Sequence, residues 1–192
     1  MKAYQEMAVA VTHGDVQAVA AVAEVQGLRS STDYQQPVVK PLLGEITWNQ
    51  GSPYNNMCPT YRGSSRAVTG CVATAMAQIL AYYRYPAQLK ATIPSYVTRS
   101  YDIAVGSIPA GENYDWANMR PKYLTGGYTS TQAAAVAKLM YHCGAAVQMD
   151  YGPSSGASIS DDVFKRYFGY DEELATTVFR YDFSTLEWLK LL

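Results

Sequence analysis

Thr69-Gly70-Cys71-Val72-Ala73-Thr74-Ala75-Met76-Ala77-Gln78-Ile79 is the stretch on which the fold turns. Gly70 opens a helix that the pattern carries from Cys71 to about Tyr83. Val72, Ala75, Met76, Ile79, Leu80 and Tyr83 recur at the 3-4 spacing of a buried stripe, and Pro86 limits the helix. A cysteine in the first turn of a helix faces unpaired N–H groups and the positive end of the backbone dipole. Both favour thiolate over thiol, and the thiolate is the nucleophile. Gly70 leaves room for a substrate backbone to approach. The plainer reading of Cys71 is a small buried residue, the usual fate of a free thiol.

A nucleophile that attacks a carbonyl needs donors for the oxyanion that forms. The backbone N–H of Cys71 is one candidate. A side-chain amide is the common second, and Gln50 in Trp48-Asn49-Gln50-Gly51 can supply it. Alone, that segment is only a turn in an irregular stretch from Pro37 to Thr69.

Two further helices frame these residues. One runs from about Thr131 to Cys143, with Ser130 to cap it, Val136, Leu139, Met140 and Cys143 as its stripe, and Gly144 to stop it. Another runs from Ile159 to Phe168, starts near Ser158 or Ser160 and ends at Gly169. Ala145–Tyr151 reads as extended, Thr176–Tyr181 as a strand, and Ser184-Thr185-Leu186-Glu187 has the pattern of a capping box. Between Pro86 and Tyr128, turns and short extended pieces alternate without a readable boundary. Upstream, Asp15–Gln26 reads as a helix and Ser30–Gln36 as an exposed linker open to proteolysis.

Composition narrows the function. With 192 residues, 48% hydrophobic, and 15 basic against 16 acidic side chains, the chain can bury a core but carries no charge field for nucleic acid or an anionic membrane. No apolar run approaches a membrane span, and the first residues lack the features of a secretion signal. Cys58, Cys71 and Cys143 form no CxxC pair, and His13 and His142 stand far apart, so neither a disulfide framework nor a zinc site is indicated. A thiol–disulfide exchanger would need Cys58, thirteen positions upstream of Cys71, to act as a resolving cysteine.

The segments Gln36-Pro37-Val38-Val39-Lys40-Pro41-Leu42-Leu43, Asn49-Gln50-Gly51-Ser52-Pro53-Tyr54-Asn55 and Thr69 to Ile79 closely resemble the streptopain family of papain-like cysteine peptidases. So do Tyr114-Asp115-Trp116, Met149-Asp150-Tyr151-Gly152-Pro153-Ser154-Ser155-Gly156, Asp182-Phe183-Ser184 and Trp188. The likeness covers about residues 36–192 in consistent order. It implies an α+β, papain-like fold, of which this chain holds the helical, nucleophile-bearing domain and lacks most of the β-rich half. Residues 1–35 correspond to the end of an inhibitory pro-segment, and 36–192 to the N-terminal part of the peptidase domain.

The resemblance also implies roles. Cys71 matches the nucleophile and Gln50 the side-chain oxyanion donor, while Ser154, Ser155, Gly156 and Ala157 match a wall of the substrate cleft. Members are secreted zymogens that cut proteins with neither metal nor organic cofactor, so the expected partners are protein or peptide substrates. The remainder of the peptidase, or a second copy of the chain, is a further expected partner. Papain-like chemistry also needs a histidine as base and acid. In the family it lies downstream of the Asp-Phe-Ser stretch, beyond Leu192. His142 reads instead as a partly buried helix-end residue that gains from the negative helix terminus. The expectation is therefore a cysteine endopeptidase, incomplete in this chain. The alternative is an inactive, shortened relative acting as a binding or inhibitory module.

Overall fold

The computed structural model describes residues 41–171, 178–185, 187 and 188. The helix expected over Asp15–Gln26, the linker at 30–36 and thus the whole 1–35 segment lie outside them. The described residues fall into two bodies, 41–171 and 178–188.

The first body is built on two helices, α1 (Cys71–Tyr83) and α2 (Ser130–Ala146), which pack against each other. The contact face of α1 is Ala73, Met76, Ala77 and Leu80, all 1% exposed or less. This is the expected stripe displaced by about one position, since Ala75 and Tyr83 are exposed and Val72 and Ile79 only half-buried. Met76 and Leu80 of the predicted stripe keep their place beside the small Ala73 and Ala77, while Val72 and Ile79 turn to its flank. On α2, Val136, Leu139, Met140 and Cys143 are fully buried, as the spacing predicts. Each such side chain removed from water contributes about 1.5–3 kcal/mol before entropic costs.

Helix α2 begins one residue earlier than expected and ends three later. Thr129 is its N-cap, and a capping box joins the Thr129 hydroxyl to the Gln132 N–H at 3.3 Å and the Thr129 N–H to Gln132 Oε1 at 3.0 Å. Gly144 does not stop the helix. A Cβ there would stand 2.1 Å from the Tyr151 hydroxyl oxygen, so this glycine admits a tyrosine ring against the helix backbone. The expected extended run from Ala145 shrinks accordingly to the residues around Asp150, which bridges Gly156.

A third helix, α3 (Asp161–Phe168), ends at Gly169, whose φ of 68° lets the Gly169 and Tyr170 N–H groups turn back onto Lys165 and Phe164. The stretch from Ala87 to Tyr114, unreadable in the sequence, is a long antiparallel ribbon. β3 (Tyr96–Val97) and β4 (Ala104–Val105) pair within it, and bridges at Ile93–Ile108 and Gln88–Asn113 extend it toward its base. A smaller hairpin, β1 (Thr60–Tyr61) with β2 (Ser65–Arg66), precedes α1.

In the second body the chain carries no strand over Val178–Tyr181. Arg180–Asp182 forms a 3-10 turn instead. The capping box expected at Ser184 is formed: the Ser184 N–H donates to Glu187 Oε2 at 2.9 Å and the Glu187 N–H to Ser184 Oγ at 3.3 Å.

Candidate active site

Cys71 is the first residue of α1 and is exposed, whereas Cys58 and Cys143 are buried. Burial pushes the Cys58 thiol up to about 12 and raises that of Cys143 further. No side chain caps the helix ahead of Cys71, so the first-turn N–H groups are left without a side-chain acceptor.

Gln50 stands beside that helix start. Its backbone carbonyl accepts from the Thr69 N–H at 3.2 Å, and its side-chain Oε1 accepts from the Gly70 N–H at 3.1 Å. With Oε1 turned to Gly70, the amide nitrogen keeps both its protons for another acceptor. The local turn is shaped by Asn49, whose Oδ1 accepts from the Gly51 N–H at 3.0 Å. Asn55, buried, adds a third tie by donating from Nδ2 to the Ala67 carbonyl at 3.0 Å. Segments 49–55 and 67–70 are thereby one unit.

The space beside Gly70 is filled from within. A Cβ at 70 would meet Met149 Sδ at 2.5 Å and the Ser155 carbonyl oxygen at 3.2 Å, and the residue's φ of 86° suits glycine alone. The sequence reading left that space to a substrate, but Met149 and Ser155 occupy it. Beyond Cys71, the Thr74 hydroxyl donates to the Gly70 carbonyl at 2.9 Å and so accepts from Thr69 Oγ1 at 2.8 Å.

The 154–157 loop divides. Ser154 and Gly156 are exposed and Ala157 is half-buried, while Ser155, the neighbour of Gly70, is buried. The Ser155 hydroxyl donates to the Val68 carbonyl at 2.7 Å and accepts from the Gly152 N–H at 3.1 Å. Asp150, at the root of the loop, accepts from the Ser100 N–H and hydroxyl at 3.0 and 2.7 Å, which holds its carboxyl below the usual range. Asn55, Met149 and Asp150 carry no chemistry that a sequence pattern flags, and only their place in the quoted motifs pointed to them.

His142 is 3% exposed, and its Nδ1 lies 3.1 Å from the Tyr114 hydroxyl. It is not a helix-end residue, because α2 continues past it; burial lowers it to about 4 and keeps it neutral. Its ring is turned to Tyr114 in the core. Among the described residues no group of three or more His, Cys, Asp or Glu could hold a metal ion, and no helix is long and apolar enough to cross a membrane. A pocket of about 260 Å³ lined by Ile46, Ala81, Trp116 and Met119 lies at the far end of α1, and thirteen residues of helix put that end about 18 Å from Cys71.

Comparison with known proteins bears on this arrangement. The active interpain A cysteine protease of Prevotella intermedia superposes with a TM-score of 0.68 at 34% identity, over 80% of this chain and 68% of that one. A fragment of prointerpain A from the same organism gives the same TM-score at 32% identity, over 89% of this chain and 59% of that one. Streptopain of Streptococcus pyogenes is 34% identical over 82% of this chain, and the thiol protease/hemagglutinin PrtT of Porphyromonas gingivalis 27% identical over 91%. The fold is thus the α+β fold of papain-like cysteine peptidases. Residues 48–192 match the Peptidase C10 family, and the chain belongs to it. It spans 44% of the length of streptopain and 21% of PrtT.

Proposed function

We propose that the protein is a cysteine endopeptidase in which the Cys71 sulfur attacks a peptide carbonyl. The sulfur–carbon bond forms as the thiol proton passes to a histidine. That histidine then protonates the leaving amine as the carbon–nitrogen bond breaks, and water hydrolyses the thioester. The Cys71 N–H and Gln50 Nε2 hold the oxyanion. Ser154, Gly156 and Ala157 border the substrate. The histidine comes from outside residues 41–188, since His142 is neutral, buried and bonded to Tyr114.

The observation that carries this reading is the Gln50–Gly70 hydrogen bond of 3.1 Å, which sets a side-chain amide at the start of the helix that Cys71 begins. Residues 1–35 act as the end of an inhibitory pro-segment, with cleavage near Gln35 or Gln36, and the protein is secreted to meet protein substrates. No metal or organic cofactor takes part.

The test is hydrolysis of denatured protein and of peptides by the full-length protein, with Cys71→Ala beside it. Cleavage that disappears in the variant is the expected result. Hydrolysis that survives Cys71→Ala, or a full-length protein that binds peptides without cutting them, would sink the reading.

A further inference from the structure

We infer that Ser155 is a positioning residue for Cys71 and not part of the surface that touches substrate. This rests on the peptidase reading. Its hydroxyl proton is committed: the Val68 carbonyl lies at 2.7 Å, closer than the Gly152 carbonyl at 3.3 Å, and one proton serves one acceptor well. The same oxygen accepts from the Gly152 N–H at 3.1 Å, and the Gly152 carbonyl accepts from the Val68 N–H at 3.2 Å. Both polar groups of Val68 are therefore held by a loop more than eighty residues downstream. The next two N–H groups, of Thr69 and Gly70, are held by Gln50. The three peptide units from Ala67 to Gly70 are thus fixed from outside their own segment, the middle one through Ser155. At 8% exposure, between exposed Ser154 and Gly156, the side chain has no proton left for a ligand.

Without the hydroxyl, the Val68 carbonyl loses its partner and the approach to Cys71 is free to shift. Misplacement by about 1 Å costs on the order of a hundredfold in rate. In the full-length protein, Ser155→Ala should lower kcat by roughly ten- to a hundredfold while KM stays within about twofold. Ser155→Thr, which keeps the hydroxyl, should recover most of kcat. Amide exchange at Val68 and Gly152 should speed up in Ser155→Ala, with protection in α2 unchanged. If Ser155→Ala does not fold, Ser155→Cys keeps the volume with a weak donor and gives the same readings. A raised KM at unchanged kcat would make Ser155 a substrate contact and overturn the inference; so would unchanged kcat together with unchanged exchange. Should the parent protein hydrolyse nothing, the peptidase reading fails, and the exchange data still decide whether Ser155 holds Val68.

Discussion

The side-chain carbonyl of Gln50 accepts from the backbone N–H of Gly70 at 3.1 Å, one residue ahead of Cys71. The bond orients the amide, because the carbonyl end is the one engaged. It also separates two ends of one side chain: Oε1 anchors on Gly70, and Nε2 is left for the oxyanion in the proposed reaction.

The two ends can be tested apart. Gln50→Ala removes both, and loss of one oxyanion donor costs about a hundredfold or more in turnover. Gln50→Glu keeps an acceptor for Gly70 but no donor, so it should be as slow as Gln50→Ala while unfolding at a midpoint nearer the parent's. Steady-state kinetics and urea denaturation together check this; a Gln50→Glu enzyme of parental turnover would remove the amide from the mechanism.

Thiol accessibility gives a second check. Cys71 is exposed, whereas Cys58 and Cys143 lie in the core. Iodoacetamide should therefore alkylate Cys71 alone in the native protein and all three after denaturation. Peptide mapping by mass would show it, and early labelling of Cys58 would contradict the packing described.

The buried histidine fixes a pH dependence. His142 is lowered to about 4 from an ordinary 6.5, chiefly by burial. The unfolded chain takes up its proton first as pH falls, so the stability contributed by neutral His142 is whole above about 6.5. It declines between 6.5 and about 4 and changes no further below that. A shift of this size corresponds to about 3 kcal/mol. Urea unfolding from pH 7 to pH 4 should show the decline, and in His142→Phe this component should be absent. An equal slope in both proteins would assign the acid sensitivity elsewhere.

Gly144 and Tyr151 form a coupled pair. The Tyr151 hydroxyl crowds the place of a Cβ on Gly144; it is buried, and among the described residues its one hydrogen-bond partner is the Cys58 sulfur, a weak acceptor. Gly144→Ala should destabilise by about 1–3 kcal/mol through overpacking. Tyr151→Phe should cost little, since the hydroxyl it removes has only a weak sulfur acceptor. The double variant should recover part of the loss. Additive effects in the double-mutant cycle would mean that the two residues do not press on one another.

The same glycine shows where the sequence stops being legible. A glycine that ends a helix and one that makes room for a ring seven residues on look alike in a local pattern, so Gly144 reads as a stop. Gly169, with its positive φ, is a true one. The start of α1 at Cys71 was readable because Gly70 and the apolar spacing agree. The face of α1 was not, because alanine carries little signal and the side on which α2 would lie is a tertiary fact. Gln50 could be proposed from chemistry and resemblance, but its anchor on Gly70 could not. Ser155 reads like its exposed neighbours because adjacency in sequence hides the turn that sends its side chain inward. The ribbon from Ala87 to Tyr114 stayed hidden for another reason: isolated bridges, not alternating residues, hold much of it together.

The tie between Ser155 and Val68 spans 87 positions. Contacts so distant along a polymer are costly to close and form late. During synthesis, a nascent polypeptide that has already extruded its sulfur still lacks the clasp that aims it. On the peptidase reading proposed above, chemical competence would wait until the loop has emerged, a delay that would spare the newly made chain and its surroundings from premature cutting.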